Sequence, residues 1–119
     1  MRFKPISLAI HGVLDYLSVP LLLVAGPLFD FDGRPAVITS TAAGAVLVYS
    51  AFTAYPLGLV KLVPPKAHRA IDIVVGLMFV ALPWVMNFSA VNPARNFFVV
   101  YGVGSLIAVM LTDFRVGDA

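Results

Sequence analysis

The chain contains 119 residues, of which 61% are hydrophobic and only 12% are charged. A soluble domain carries about 45–50% apolar and about 25% charged residues, so this composition excludes an ordinary water-exposed globule and indicates a chain surrounded by lipid. Cysteine is absent, which excludes disulfides and thiolate chemistry, and the net charge of +2 gives no argument for a nucleic-acid partner.

Four apolar segments follow one another along the chain, separated by short turns rich in proline, glycine, aspartate and asparagine. Their lengths are close to the about 20 residues that a membrane-spanning helix needs. Helices are favoured over a β-barrel because the segments are continuously apolar. The segments run from about Ser7 to Gly26, Ala36 to Tyr55, Pro65 to Phe88 and Asn96 to Thr112. We predict an all-α fold of four transmembrane helices in one membrane domain over residues 1–119.

The first and third segments each carry a histidine and an aspartate four residues apart, which places both side chains on one face of the helix. Ionisable groups are costly in hydrocarbon, so these pairs are expected to point into the bundle. Hydroxyl groups of the second and fourth segments are their expected hydrogen-bond partners. The predicted polar cluster consists of His11, Asp15, Tyr49, Thr53, His68, Asp72 and Thr112.

Small and aromatic residues mark other positions in the segments. Small residues let membrane helices approach closely, and we predict such packing within the bundle at Ala42, Ala43, Gly44, Gly102 and Gly104, with the docking of another subunit as the alternative. Aromatic side chains near segment ends are expected to anchor the protein at the membrane–water interfaces. The predicted anchors are Trp84 on one side, with Tyr55 and Phe114 on the other.

The sequence also indicates an internal repeat of two helical hairpins. His11 and Asp15 recur 57 residues later as His68 and Asp72, and Thr53 recurs 59 residues later as Thr112. The stretch from residue 27 to 31 resembles the stretch from 83 to 88, if one residue is inserted in the second copy. We predict copies at about 4–58 and 61–117, which enter the membrane from the same side and are related by an axis along the membrane normal.

Basic residues predict the orientation, because lysine and arginine accumulate on the cytoplasmic side. Six of them precede the first segment, separate the second from the third, or follow the fourth: Arg2, Lys4, Lys61, Lys66, Arg69 and Arg115. The two connections on the other side carry only Arg34 and Arg95. Both termini are therefore expected in the cytoplasm.

The histidine–aspartate motif that opens each hairpin, and the prolines Pro27 and Pro83 that close its first helix, resemble the SPW-repeat family of small bacterial membrane proteins. The triplet that names this family reads Gly-Pro-Leu at 26–28 and Leu-Pro-Trp at 82–84. The resemblance implies a four-helix protein of the bacterial inner membrane and implies no activity.

The residues leave three functions open as hypotheses. The first is a non-catalytic protein, without a cofactor, that acts by association in the lipid bilayer, as an accessory subunit of a larger complex or as a self-associating bundle. The second is a small transporter or proton-coupled channel that uses the intramembrane pairs. The third is a metal site at His11, Asp15, His68 and Asp72, or haem ligation by the two histidines.

Overall fold

A computed structural model describes residues 4–114 and contains four α-helices in this range. Helix α1 spans Leu8–Phe29, α2 spans Gly33–Ala51, α3 spans Pro65–Val85 and α4 spans Asn92–Leu111. The all-α prediction is thus confirmed. Predicted features at Arg2, at Arg115 and at the end of the second copy lie outside the described residues.

Three of the four helices, α1, α3 and α4, are long and apolar enough to cross a membrane. This indicates a membrane protein, and it agrees with the many large apolar side chains on the surface, such as Val100 at 70% exposure and Met110 at 68%. Helix α2 has 19 residues but is more polar, because it includes Arg34 and a run of hydroxyl residues at 39–41.

The helices form two hairpins. α1 packs along α2, α3 packs along α4, and α1 also contacts α4 more loosely. The hairpin cores meet in a cluster of aromatic and small side chains, in which the fully buried Phe98 stacks on Phe79 with ring centroids 4.9 Å apart. This core fixes the far half of the bundle and leaves the polar side chains gathered at the end where α1 and α3 begin.

The ends of α1 and α3 have the same local structure. Asp30 and Asn87 adopt left-handed backbone conformations, with φ of 64° and 61°. The residue after each is a buried phenylalanine, whose amide donates a 2.8 Å hydrogen bond to the carbonyl of Gly26 or Pro83, as in a Schellman cap. Pro83 thus corresponds to Gly26, not to Pro27. The insertion expected from the sequence alignment is wrong, because the separation stays at 57 through both caps.

Buried positions recur along the helices at constant separations. In α1 and α3 the separation is 57, as for Leu22 and Phe79. In α2 and α4 it is 59, as for Ala43 and Gly102. We call two residues related by these separations matched positions.

Candidate functional site

The four ionisable side chains predicted in the apolar segments meet in one place. His11 and His68 are each the fourth residue of their helix, and Asp15 and Asp72 follow one turn deeper. We call these four residues the His–Asp cluster. One ligand atom from each lies within 4.8 Å of the other three, and both histidines and Asp72 are buried.

Each histidine faces both carboxylates through Nε2. His11 Nε2 lies 2.8 Å from Asp72 Oδ2 and 3.4 Å from Asp15 Oδ1. His68 Nε2 lies 2.9 Å from Asp15 Oδ2 and 3.1 Å from Asp72 Oδ2. The two hairpins are therefore joined by histidine–aspartate contacts as well as by apolar packing.

The other ring nitrogen of each histidine contacts a threonine at the end of α2 or just after α4. His68 Nδ1 lies 2.7 Å from Thr53 Oγ1, and His11 Nδ1 lies 2.9 Å from Thr112 Oγ1. Both hydroxyls donate their single hydrogen to a backbone carbonyl four residues earlier, at 2.5 and 2.6 Å. The threonine oxygens must therefore accept, so both histidines carry a hydrogen on Nδ1.

This assignment determines what Nε2 can do. In a neutral imidazole with hydrogen on Nδ1, Nε2 presents a lone pair. Both lone pairs would then face two carboxylates at about hydrogen-bond distance, which is repulsive unless positive charge lies between them. A proton on each imidazole or one divalent cation supplies the two charges that balance the two aspartates.

The two histidines differ in this respect, because His11 Nε2 forms a hydrogen bond with Asp72 Oδ2 at 2.8 Å, as an imidazole with a hydrogen on Nε2 does. His68 is fully buried, and its Nε2 makes no hydrogen bond with any residue in the described range 4–114. This nitrogen nevertheless lies close to Asp15 Oδ2 and Asp72 Oδ2, so a proton or a cation there would face both carboxylates. A buried nitrogen in this position can serve as a metal ligand together with the two carboxylates.

Two tyrosine hydroxyls donate to the carboxylates from outside the cluster. Tyr49 donates to Asp72 Oδ1 at 2.7 Å, and Tyr55 donates to Asp15 Oδ2 at 3.1 Å. Burial raises the pKa of Tyr55, and the negative charge of Asp15 raises it further, so this hydroxyl keeps its hydrogen and remains a donor. The tyrosines thus fix the orientation of the two aspartate side chains.

The structure brings all seven residues of the predicted polar cluster together, and it adds two that we assigned elsewhere. Tyr55 and Phe114 were expected as interfacial anchors, but they are only 2% and 7% exposed. Their rings pack on His68 and His11, each with centroids 5.1 Å apart. The anchor assignment is wrong for these two, because the chain folds back over the cluster after each threonine. Trp84 is 55% exposed, and its interfacial role stays a prediction.

Only part of the predicted small-residue packing is present within the chain. Gly102 lies directly against α3, and Ala43 is buried in the core. Ala42 packs at the edge of that core. Gly44 and Gly104 are exposed, and a Cβ at either would meet no other described residue within 4 Å. For these two glycines the expectation of packing inside the bundle is wrong, because they face outward.

The space between the two histidines does not suit haem. Their ring centroids are 5.7 Å apart, and the carboxylate oxygens that contact both Nε2 atoms fill the intervening region. A porphyrin would also bring its own negative charge close to two aspartates. The donor set is instead that of a small divalent cation, with two imidazole nitrogens and two carboxylate oxygens.

Comparison of the chain with protein-family models, with curated proteins and with solved structures finds no match in any of the three. The geometry of the site is therefore the basis on which a function can be inferred.

Proposed function

We propose that this protein binds a divalent transition-metal ion, zinc or a similar ion, at the His–Asp cluster inside the membrane. The observation that supports this most directly is the Nε2 atom of His68, which is buried, close to two carboxylates and without a hydrogen bond in the described range. Nitrogen and oxygen donors without a thiolate suit zinc and its neighbours in the first transition row.

The separations between the ligand atoms support the proposal. Four atoms bound at about 2.0–2.2 Å to a tetrahedral zinc lie about 3.3–3.6 Å from one another. The nitrogen–oxygen separations in the cluster are 2.8, 2.9, 3.1 and 3.4 Å. Three of these separations are shorter than zinc requires, so the side chains would move apart to admit the ion; one ligand atom from each of the four residues already lies within 4.8 Å of the others.

The surroundings of the ligands also fit a metal site. Metal-binding histidines commonly donate their second ring hydrogen to a fixed acceptor, which sets the tautomer and the ring orientation. Thr53 and Thr112 are such acceptors for His68 and His11. Tyr49 and Tyr55 orient the two carboxylates in the same way.

The experiment is a metal titration of protein purified in mild detergent without a polyhistidine tag. We expect one zinc or cobalt ion per chain, and a higher unfolding temperature with the metal present, because a ligand that binds only the folded state stabilises it. His68→Gln and Asp72→Asn should lose both effects, whereas the exposed Asp32→Asn should keep them. A wild-type protein that binds no ion and shows no thermal shift would refute the metal site and leave a pair of ion-paired imidazoliums.

We also infer the membrane topology of the chain. All four helices span the bacterial inner membrane, the chain is a tandem repeat of two hairpins as in the SPW-repeat family, and both termini are cytoplasmic. The matched caps at Asp30 and Asn87 support the repeat, and Lys4, Lys61, Lys66 and Arg69 support the orientation. Reporter fusions at residue 32 and at the C-terminus test the topology.

We further propose that the protein associates with other membrane subunits or with copies of itself. The support is the exposed Gly44, a small residue on an apolar helix face where another helix can approach. Because the chain has no cysteine, a Gly44→Cys variant gives a clean crosslinking test in membranes. A crosslinked dimer or a heteromeric product is expected, and a product that is only monomeric would contradict association through this face.

A further inference from the structure

Two grooves run along the sides of the bundle next to the His–Asp cluster. The α1/α4 groove has a volume of about 350 Å³ and is lined by His11, Asp15 and Asp72, together with residues of both helices. The α2/α3 groove has a similar volume of about 310 Å³, but its lining contains none of the four cluster residues. The cluster is therefore open toward one side of the bundle and covered on the other.

A single pair of matched positions accounts for much of this difference. Tyr49 lines the α2/α3 groove and donates to Asp72, so its ring stands between that groove and the carboxylate. The matched residue in α4 is Ala108, which lines the α1/α4 groove and leaves the carboxylates in its wall. The large side chain of Tyr49 closes the α2/α3 groove toward Asp72, whereas the methyl group of Ala108 leaves the α1/α4 groove open at the matched position.

The two grooves also differ in polarity at matched positions. Ser18 and Ser105 line the α1/α4 groove, whereas valines occupy the corresponding places in the α2/α3 groove, at 75 and 46. Tyr101 lines the α1/α4 groove, and its matched residue in the α2/α3 groove is Ala42. These three differences place hydroxyl groups in the groove that reaches the aspartates, whereas the hydroxyl groups that line the other groove, of Thr41 and Tyr49, donate to Val37 and Asp72. Hydroxyl groups can replace part of the hydration shell of a cation.

The α1/α4 groove continues away from the cluster. A second cavity of about 490 Å³ lies between the same two helices and shares Leu21 and Tyr101 with the first. It reaches Asn96, near the start of α4. From Asn96 to Ala108 the path follows about 18 Å of helix, at 1.5 Å per residue. The two cavities meet at Leu21 and Tyr101, and the lining of the second is mainly apolar, with Asn96 and Tyr101 as its polar residues.

The near end of the bundle is closed and positively charged. Backbone bridges join Ile6 to Thr112 and Thr53 to Val63 across the cluster. The rings of Phe114 and Tyr55 cover the two histidines. The lysines and arginine at this end, which include Lys4, Lys61, Lys66 and Arg69, repel an approaching cation.

We propose that the α1/α4 groove is the route by which a divalent cation reaches and leaves the His–Asp cluster, from the membrane face opposite the basic end. This inference rests on the proposed metal site and gives it a direction. The cation passes Asn96, Tyr101 and the two serines before the carboxylates bind it. We expect no exchange across the basic end, because among residues 4–114 backbone bridges and the rings of Phe114 and Tyr55 cover the cluster there.

A matched pair of substitutions tests the route. Gly104 lines the open groove, and a Cβ there meets no other described residue within 4 Å, so Gly104→Leu should narrow the groove without disturbing the fold. Its matched control is Ala45→Leu, in the other groove. We expect Gly104→Leu in nanodiscs to load cobalt about tenfold more slowly, at unchanged stoichiometry, and Ala45→Leu to load at the wild-type rate. Equal rates in both variants would overturn the route, whereas absence of cobalt binding in the wild type would overturn the metal site itself.

Single cysteines test the direction, since the chain has none of its own. In sealed vesicles of known orientation, Ser105→Cys should react with a membrane-impermeant cationic thiol reagent applied to the face of Asn96, and bound zinc should slow the reaction. The matched control, Val46→Cys, is buried and should not react. Reaction of Ser105→Cys only from the basic face would show that the route runs the opposite way.

Discussion

Gly76 and Gly102 bring the backbones of α3 and α4 into direct contact. A Cβ at Gly102 would lie 2.7 Å from the carbonyl oxygen of Gly76, and a Cβ at Gly76 would lie 3.3 Å from that of Gly102. Helices in lipid are held together largely by such close packing, because the surrounding acyl chains are as apolar as the side chains. The second hairpin therefore depends on the absence of a side chain at this crossing.

We predict that Gly102→Ala destabilises the protein. The added methyl group has no space, and overpacking of this kind costs about 1–3 kcal/mol. The control is Gly104→Ala in the same helix, where a Cβ enters the open space of the α1/α4 groove; it should be neutral or slightly stabilising, because alanine favours the helix over glycine. Thermal unfolding in detergent measures both variants, and equal unfolding temperatures would contradict the crossing.

Much of the fold could be predicted because apolar runs and proline-rich turns mark helices directly. The helix ends were less accurate, for local reasons. The second segment was predicted to reach Tyr55, but α2 ends at Ala51, because the chain then turns so that Thr53 can pair with Val63. Helix α4 begins at Asn92 instead of Asn96, because proline is accepted in the first turn of a helix.

We predict that Thr53→Val weakens metal binding about 10–100-fold, the usual effect of losing the group that orients a metal-binding histidine. Valine keeps the shape of threonine but cannot accept the hydrogen from His68 Nδ1. Thr41→Val is a matched control, because Thr41 lies in α2 and also donates to a carbonyl four residues earlier, away from the cluster. Isothermal titration with zinc measures both variants, and equal affinities would show that the threonine does not orient His68.

The members of the candidate site could be predicted largely from the cost of burying charge. The i, i+4 spacing placed each histidine beside its aspartate, and the apolar context required them to point inward. Tyr55 and Phe114 were harder to predict, because they lie beyond the helices and reach the histidines through backbone bridges between distant segments. Each lies two residues after one of the two recurring threonines, Thr53 and Thr112. This shared position was the signal in the sequence that the two rings belong to the site.

We predict that Asn87 tolerates glycine but not valine. Its φ of 61° lies in the left-handed region, which is unfavourable for β-branched residues and readily adopted by glycine. Asn87→Val should lower stability by about 1–2 kcal/mol, and Asn87→Gly should be close to neutral. The same two substitutions at Asp30 should give the same order if both caps are equivalent. Thermal unfolding of the four variants measures this, and unequal behaviour at the two sites would count against the repeat.

We predict that Asp72→Leu is the most damaging substitution of an acidic residue in the described chain, followed by Asp15→Leu. Asp72 contacts both histidines and accepts from Tyr49, so its removal leaves the Tyr49 hydroxyl without its acceptor and leaves Asp15 as the one carboxylate beside both imidazoles. Breaking a buried charge pair by removing one partner costs about 3–5 kcal/mol.

The control for these variants is Asp32→Leu, which changes an exposed carboxylate at the start of α2. Asp30→Leu would be a poor control, because leucine would be strained at its φ of 64°. Unfolding in detergent, with and without zinc, separates the two roles of Asp72. A loss of stability that persists in metal-free protein measures the polar contacts, and the additional loss in the presence of zinc measures the bound ion. If Asp72→Leu and Asp32→Leu unfolded at the same temperature under both conditions, the inward-facing cluster would be refuted.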